Sequence, residues 1–127
     1  MYDSLPKNEQ SFDIDLAGET TNIQYVGTFT AKCVLNMAGK HSMELEKTRL
    51  MADYANPSAG LAGIAIALAT IRAKITDGPA WWKDSDAGAT IIDENVVFKL
   101  YDECLRIEAS WREKLKKNGE EAQKGNV

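Results

Sequence analysis

The chain has 127 residues, of which 44% are hydrophobic, and a formal net charge of −4 at pH 7. A chain of this length forms one domain and buries roughly two thirds of the surface that it exposes when unfolded. No stretch concentrates lysine and arginine with interleaved aromatic residues, so the composition argues against nucleic acid as a partner.

Residues 1–10 (MYDSLPKNEQ) are polar and contain a proline, which predicts a flexible N-terminal arm. The segment lacks the basic start and apolar run of a secretory signal, so we expect the protein to stay in the cytosol. The longest uncharged run, residues 55–71, is shorter than the ~20 apolar residues that span a bilayer, so we expect no membrane partner. Cys33 and Cys104 form no C-x-x-C pair, which favours free thiols over a disulfide framework or a zinc site.

Two segments of alternating apolar and polar residues predict an antiparallel β-hairpin. The first covers residues 12–16, a turn follows at residues 18–22, and the second covers residues 23–35. The apolar face of the second segment is predicted to hold Ile23, Tyr25, Phe29, Ala31, Cys33 and Leu35. Gly27, in the middle of this segment, predicts either a bulge or a close backbone approach.

Helical spacing begins after the hairpin. A first helix is predicted at about residues 41–55, with Ser42 as its N-cap. A second begins at residue 57 or 58, where a proline suits the first turn, and continues to about residue 76. A third begins at Asp93, which can cap it, and ends at Asn118-Gly119.

Together these elements predict an α+β fold, in which an N-terminal antiparallel β-hairpin packs on about three α-helices. The domain spans residues 11–117, and residues 118–127 are predicted to form a disordered polar tail. Between the second and third helices, a glycine and a proline predict a loop that carries Trp81 and Trp82.

The residue types that perform catalysis or bind metals do not converge in the sequence. His41 lies three residues before Glu44, but no further ligand at suitable spacing completes a metal site. Cys33 would need His41 as its base, yet the strand pattern places this thiol in the core. Asp84 and Asp86 resemble the start of a calcium loop without its glycine and terminal glutamate. Because hydrolase, phosphate-binding and dinucleotide-binding motifs are also absent, we predict no enzymatic activity, no cofactor and no metal.

Two features predict binding to other proteins. The second helix has a main apolar stripe, and its opposite side is also apolar; the candidate binding residues there are Ala62, Ile66, Ala69 and Ala73. Trp81 and Trp82 are candidates as well, because tryptophan is enriched among interface anchors. The alternative is that the tryptophans plug one end of the core and that the helix is central, since tryptophans are largely buried in most proteins. The expected partners are other proteins, including further copies of this chain.

The chain joins a polar hairpin, a charged helix, a small apolar helix and a tryptophan pair in one order. The hairpin sequence GETTNIQYVGTFTAK stands at residues 18–32, the charged helix at 43–54 and GPAWW at 78–82. A closing segment at 93–111 begins with DENVV and ends with EASW. This order of segments, over about residues 12–115, resembles the small tail-assembly proteins of long-tailed bacteriophages.

The resemblance implies a tail assembly chaperone, which coats the tape-measure protein until tail-tube subunits polymerise around it in the host cytoplasm. In that family a longer form often arises by ribosomal frameshifting near the end of the gene, and Lys116-Lys117 is compatible with a slippery run of adenines. Many such chaperones are almost entirely helical, whereas a hairpin is predicted here. A structural subunit of the virion (head, neck, tail or decoration protein), with neighbouring virion subunits as its partners, is therefore the alternative.

Overall fold

The computed structural model describes residues 5–52 and 59–125, with side chains described at 5–52 and 60–119. Over these residues the chain forms an α+β fold with one three-stranded sheet and four helices, so the predicted fold class is confirmed. In chain order the elements are β1 (Gln10–Ala17), β2 (Gln24–Ala31), α1 (Met37–Met51), α2 (Ala59–Lys74), β3 (Ile75–Asp77), α3 (Ala80–Lys83) and α4 (Glu94–Gly125).

β1 and β2 form the predicted antiparallel hairpin. Phe12 pairs with Phe29 in the register, and their rings stack with centroids 5.5 Å apart on the buried face. The opposite face is polar, and cross-strand hydrogen bonds run along it; the Thr28 hydroxyl, for example, donates to Asp13 Oδ1 at 2.6 Å. This division follows from the two-residue period of a strand, which sends alternate side chains to opposite faces of the sheet.

The start of β2 and the presence of β3 differ from the prediction. Ile23 does not share the buried face: it is 53% exposed and precedes β2, and its carbonyl accepts from the Gly18 N–H to close the turn. β3 pairs with β2 at Thr30 and Ala31, so the second helix ends at Lys74 rather than at residue 76. The last two residues of that predicted helix, Ile75 and Thr76, instead belong to a strand at the edge of the hairpin, where tertiary pairing overrides the helical pattern.

The core lies between the buried face of the sheet, α2 and α4, because α2 packs on both α1 and α4 while α4 also contacts β1. Its largest fully buried apolar side chains come from all three layers: Phe29, Ile71, Leu100, Ile107 and Val96. Cys33 and Cys104 are both buried free thiols, as predicted.

Both ends of α1 differ from the prediction. α1 begins at Met37, earlier than predicted, and its N-cap is Asn36 rather than Ser42, because the Asn36 side chain accepts from the Gly39 N–H at 2.9 Å. α1 ends at Met51 with Ala52 as its C-cap, earlier than the predicted end at about residue 55, and the predicted start of the second helix at residue 57 or 58 lies outside the described residues.

α4 is longer than predicted. It continues to Gly125, so the predicted helix end at residues 118–119 and the disordered tail are wrong for residues 118–125. A glycine inside a helix costs only about 1 kcal/mol relative to alanine, and the surrounding lysines, glutamates and alanine are strong helix formers. Residues 126 and 127 lie outside the described residues.

Asp93 stands just before α4, as predicted, but its carboxylate turns towards the hairpin. It accepts hydrogen bonds from the backbone N–H groups of Thr20 and Thr21 and from the hydroxyls of Thr21 and Tyr25, at 2.6–2.9 Å. The side chain therefore fixes the β1–β2 turn against the start of α4.

Residues 5–10 of the predicted N-terminal arm contact their own domain. The Asn8 amide donates to the Val34 carbonyl at 2.9 Å, and its oxygen accepts from the Val34 N–H at 2.8 Å. The Pro6 carbonyl accepts from the Trp111 indole N–H at 3.2 Å. Through these bonds the polar groups of the arm bind the domain instead of water. Residues 1–4 lie outside the described part of the chain.

Candidate functional site

The groups that could perform chemistry are dispersed or protected. Among the described residues, no three His, Cys, Asp or Glu side chains lie close enough together to hold a metal ion. Burial raises the pKa of Cys33, and it raises the pKa of Cys104 to about 11, so both thiols are protonated at neutral pH. His41 is exposed on α1. Among all the residues that the structure describes, no helix is both long and apolar enough to cross a membrane.

The two tryptophans lie on a short helix rather than on a loop, and they have different surroundings. Trp82 is 6% exposed and meets the Phe29 ring edge to face at 5.7 Å, so it belongs to the core. Trp81 is half-buried and contacts Tyr25 at 5.0 Å and Phe29 at 5.5 Å, both edge to face. Its indole N–H donates to the Val26 carbonyl at 3.0 Å, which fixes the ring on the edge of the sheet.

A close approach between α3 and the sheet positions these tryptophans. A Cβ at Gly27 would lie 2.5 Å from Pro79 Cγ, so only glycine lets the start of α3 rest on β2. Of the two alternatives for Gly27, the structure shows the close approach. A Cβ at Gly78 would likewise lie 2.8 Å from Trp82, which brings the indole directly over the backbone.

Trp81 forms one wall of an open cleft of about 400 Å³, named here the tryptophan cleft. Its lining residues are Thr21, Ile23, Tyr25, Trp81, Asp84, Ser85, Thr90, Ile91 and Ile92. Ile23 is 53% exposed and Ile92 is 66% exposed, so two large apolar side chains stand in solvent on the rim of an aromatic wall. The carboxylate of Asp84 is exposed and makes no ion pair with any residue that the structure describes.

The loop from residue 84 to 90 contributes Asp84, Ser85 and Thr90 to the lining of this cleft and has an unusual backbone. Asp86, Ala87 and Gly88 all have positive φ angles, of 53°, 51° and 91°. Ser85 holds the loop closed, because its hydroxyl donates to the Trp82 carbonyl at 2.7 Å and accepts from the Gly88 N–H at 2.9 Å. These bonds hold the loop beside the cleft, and the side chains of Asp84, Asp86 and Thr90 stay exposed to solvent.

The structure separates the four predicted binding residues of α2. Ala69 is only 1% exposed and faces a groove between α1 and α2, so its own chain covers it. Ala62 and Ala73 are half-buried, and Ala73 lines the same groove. Ile66 is 42% exposed and is the most exposed of the four. α1 therefore occupies much of the face that the sequence left without a partner.

Arg72 connects α1 to α2, and the sequence analysis did not identify it. Its guanidinium forms an ion pair with Glu46 of α1 and donates to the Asp86 carbonyl at 2.8 Å. The pKa of Glu46 is lowered, first by the hydrogen bond from Arg49 and then by the hydrogen bond from Arg72. Burial acts in the opposite direction and is outweighed. The sequence contains one signal for this contact, which is a single arginine near the end of a mostly apolar helix. The charge of such an arginine needs a partner when the helix packs against another element.

Comparison of the chain with protein-family models, with curated proteins and with solved structures gives no match. We therefore infer function from the surfaces described above.

Proposed function

We propose that this chain acts by binding another protein, without catalysis, and that the tryptophan cleft receives apolar side chains of that partner. The observation that supports this most directly is the pair of exposed isoleucines, Ile23 and Ile92, beside the fixed ring of Trp81. Covering such half-exposed side chains contributes roughly 1 kcal/mol each, at about 25 cal/mol per Å² of apolar surface.

The cleft has the features of an anchor site. Trp81 is held by one hydrogen bond and two aromatic contacts. Because its side chain is already ordered, little conformational entropy is lost when a partner binds against it. The free carboxylate of Asp84 lies on the same wall, which favours a partner segment with a lysine or arginine next to its apolar anchor.

We further propose that the partner is the tape-measure protein of a long-tailed bacteriophage and that the chain is a tail assembly chaperone. The support is the resemblance noted above, together with the position of its segments. GPAWW supplies Trp81 to the cleft, and the hairpin segment at residues 18–32 supplies Thr21, Ile23 and Tyr25. Two of the segments that carry the resemblance thus contribute residues to the proposed binding surface.

Co-expression with the tape-measure protein of the same genome tests this proposal. A soluble complex is the expected result, and the double variant Ile23→Ser, Ile92→Ser should weaken it while keeping the circular dichroism spectrum of the parent chain. Val26→Ser is the matched control, because Val26 is 55% exposed but lies on the polar face of the sheet. If both proteins fold and no complex forms, the chaperone proposal fails.

A structural subunit of the virion is the second candidate, and the length of α4 favours it. The helix has 32 residues, which is about 48 Å at 1.5 Å per residue. Beyond Ile107 none of its described side chains is buried, so its last part extends past the core and is available to neighbouring subunits. Mass spectrometry of purified particles separates the two candidates, because a stoichiometric amount indicates a structural subunit and absence indicates a chaperone.

A further inference from the structure

We infer that the protein has a second binding site, independent of the tryptophan cleft, for a carboxylate joined to a short apolar group. The site is a pocket of about 190 Å³ where α1, α2 and α4 meet. It combines three cationic side chains with an apolar wall, and the sequence analysis assigned it no role.

The pocket is electropositive in an acidic protein. Lys40 of α1, Lys74 of α2 and Arg112 of α4 line it, against the single carboxylate of Glu108. Three cations and one anion leave an excess of two positive charges, whereas the whole chain carries −4. Such a concentration in a concave site attracts anions.

The internal ion pairs do not use all of this charge. Lys74 is 4% exposed, and its Nζ lies 2.8 Å from Glu108 Oε1 and 3.4 Å from the Cys33 carbonyl. The other carboxylate oxygen of Glu108 lies 3.7 Å from Arg112 Nε. Glu108 is therefore shared by two cations, while Lys40 has no ion pair among the described residues. A second carboxylate between Lys40 and Arg112 would be held by a point charge and by the planar guanidinium.

The rest of the wall limits the size and polarity of the ligand. It is formed by Leu35, Met43, Tyr101 and Leu105, and Leu105 is 42% exposed. The volume is below the range of about 300–1,000 Å³ that is typical for drug-sized ligands, so nucleotides and double-chain lipids are too large. It suits an apolar group of the size of a leucine side chain. A polypeptide that ends in an apolar residue presents this chemistry at its C-terminal carboxylate, and a short fatty acid presents it as a free molecule.

Titration of the ¹⁵N-labelled full-length chain with N-acetyl-leucine tests the site by nuclear magnetic resonance. We expect saturable shifts at the amides of Thr70, Lys74, Tyr101 and Leu105. N-acetyl-leucine amide lacks the carboxylate and should bind at least about tenfold more weakly. 4-Methylpentanoate identifies the source: tighter binding of N-acetyl-leucine indicates a polypeptide C-terminus, and equal or tighter binding of 4-methylpentanoate indicates a free acid.

Charge-removing variants locate the ligand. Lys40→Gln and Arg112→Gln are exposed changes that leave the core intact, and each should weaken N-acetyl-leucine binding about tenfold. Lys99→Gln is the control, because Lys99 lies on α4 outside the pocket and pairs with Glu103. Absence of saturable shifts at millimolar concentrations, equal shifts with the amide, or equal losses in all three variants would overturn the inference.

Discussion

The hydroxyl of Tyr25 donates a 2.8 Å hydrogen bond to Asp93 Oδ2, which connects the middle of the sheet to the start of the longest helix. Burial, followed by the bond to Asp93, raises the pKa of Tyr25, so the phenol remains a donor at neutral pH. The Tyr25 hydroxyl and the N–H groups of Thr20 and Thr21 donate hydrogen bonds to the Asp93 carboxylate, which is 0% exposed. A buried acid of this kind is tolerated because donors surround its charged form.

Acid should destabilise the protein through Asp93. Burial raises its pKa, but hydrogen bonds from Thr21, Tyr25 and Thr20 prevail and lower it to about 2, from an ordinary value of 3.8. A carboxyl with a lowered folded-state pKa contributes stability that is complete above pH 3.8 and is lost as the pH falls towards 2. The free energy of unfolding, measured with urea at pH 6, 4 and 2.5, should fall as the pH is lowered. Asp93→Asn should make this free energy less dependent on pH. Asp102→Asn, on the exposed side of α4, should retain the dependence of the parent chain.

Gly18 and Gly63 should respond oppositely to replacement by alanine. A Cβ at Gly18 would lie 2.2 Å from Asp93 Cγ, so Gly18→Ala should reduce the free energy of unfolding by about 1–3 kcal/mol, as overpacking does. Gly63 lies within α2, and among the described residues no atom beyond the neighbouring helix backbone lies within 4 Å of its Cβ position, so Gly63→Ala should increase the free energy of unfolding by about 0.5–1 kcal/mol. Chemical denaturation measures both, and a neutral Gly18→Ala would contradict the described packing of the turn.

Ala69→Glu should damage the fold of the isolated chain rather than an interface with a partner. Ala69 is 1% exposed, and a glutamate there would crowd the contact between α1 and α2 and bring a second carboxylate into the groove that Glu46 lines, at a cost of several kcal/mol. Ile66→Glu is the matched change on the exposed side of the same helix and should leave the melting temperature nearly unchanged. Thermal unfolding by circular dichroism compares them. Equal melting temperatures for the two variants would mean that α1 does not cover Ala69 in solution.

Loss of Arg72 should loosen α1 and leave the rest of the domain intact. α1 has no fully buried residue, and its ion pair between Glu46 and Arg72 is a principal link to α2. Arg72→Leu should therefore increase amide hydrogen exchange in α1 by a factor corresponding to about 1 kcal/mol, with exchange in α4 unchanged. Glu46→Gln removes the other partner of the same ion pair and should increase exchange in the same amides. If the two variants affect different amides, the effect of Arg72→Leu comes from the lost hydrogen bond to the Asp86 carbonyl instead.

The local patterns of the sequence predicted the hairpin, the class of fold and the approximate position of three helices, because strand and helix periods are visible in short segments. Features that depend on distant partners could not be predicted. Asn8 binds Val34, and Asp93 binds a turn more than 70 positions earlier, although both resemble ordinary loop or capping residues. Of the residues that line the cleft, Trp81 is a binding candidate from the sequence, whereas Ile23 is assigned there to the buried face because the alternation does not show where a strand begins.

The bond between Thr21 and Asp93 also has a consequence for the order of events during synthesis. The β1–β2 turn is local, but its acceptor lies 72 residues further along the chain, and the third strand of its sheet comes only after α2. On the ribosome the hairpin therefore emerges early and must wait for Asp93 before its turn is closed. During that interval Phe12, Phe29 and the sheet edges are uncovered, which is the state in which a nascent chain is most prone to aggregate or to need a holding factor.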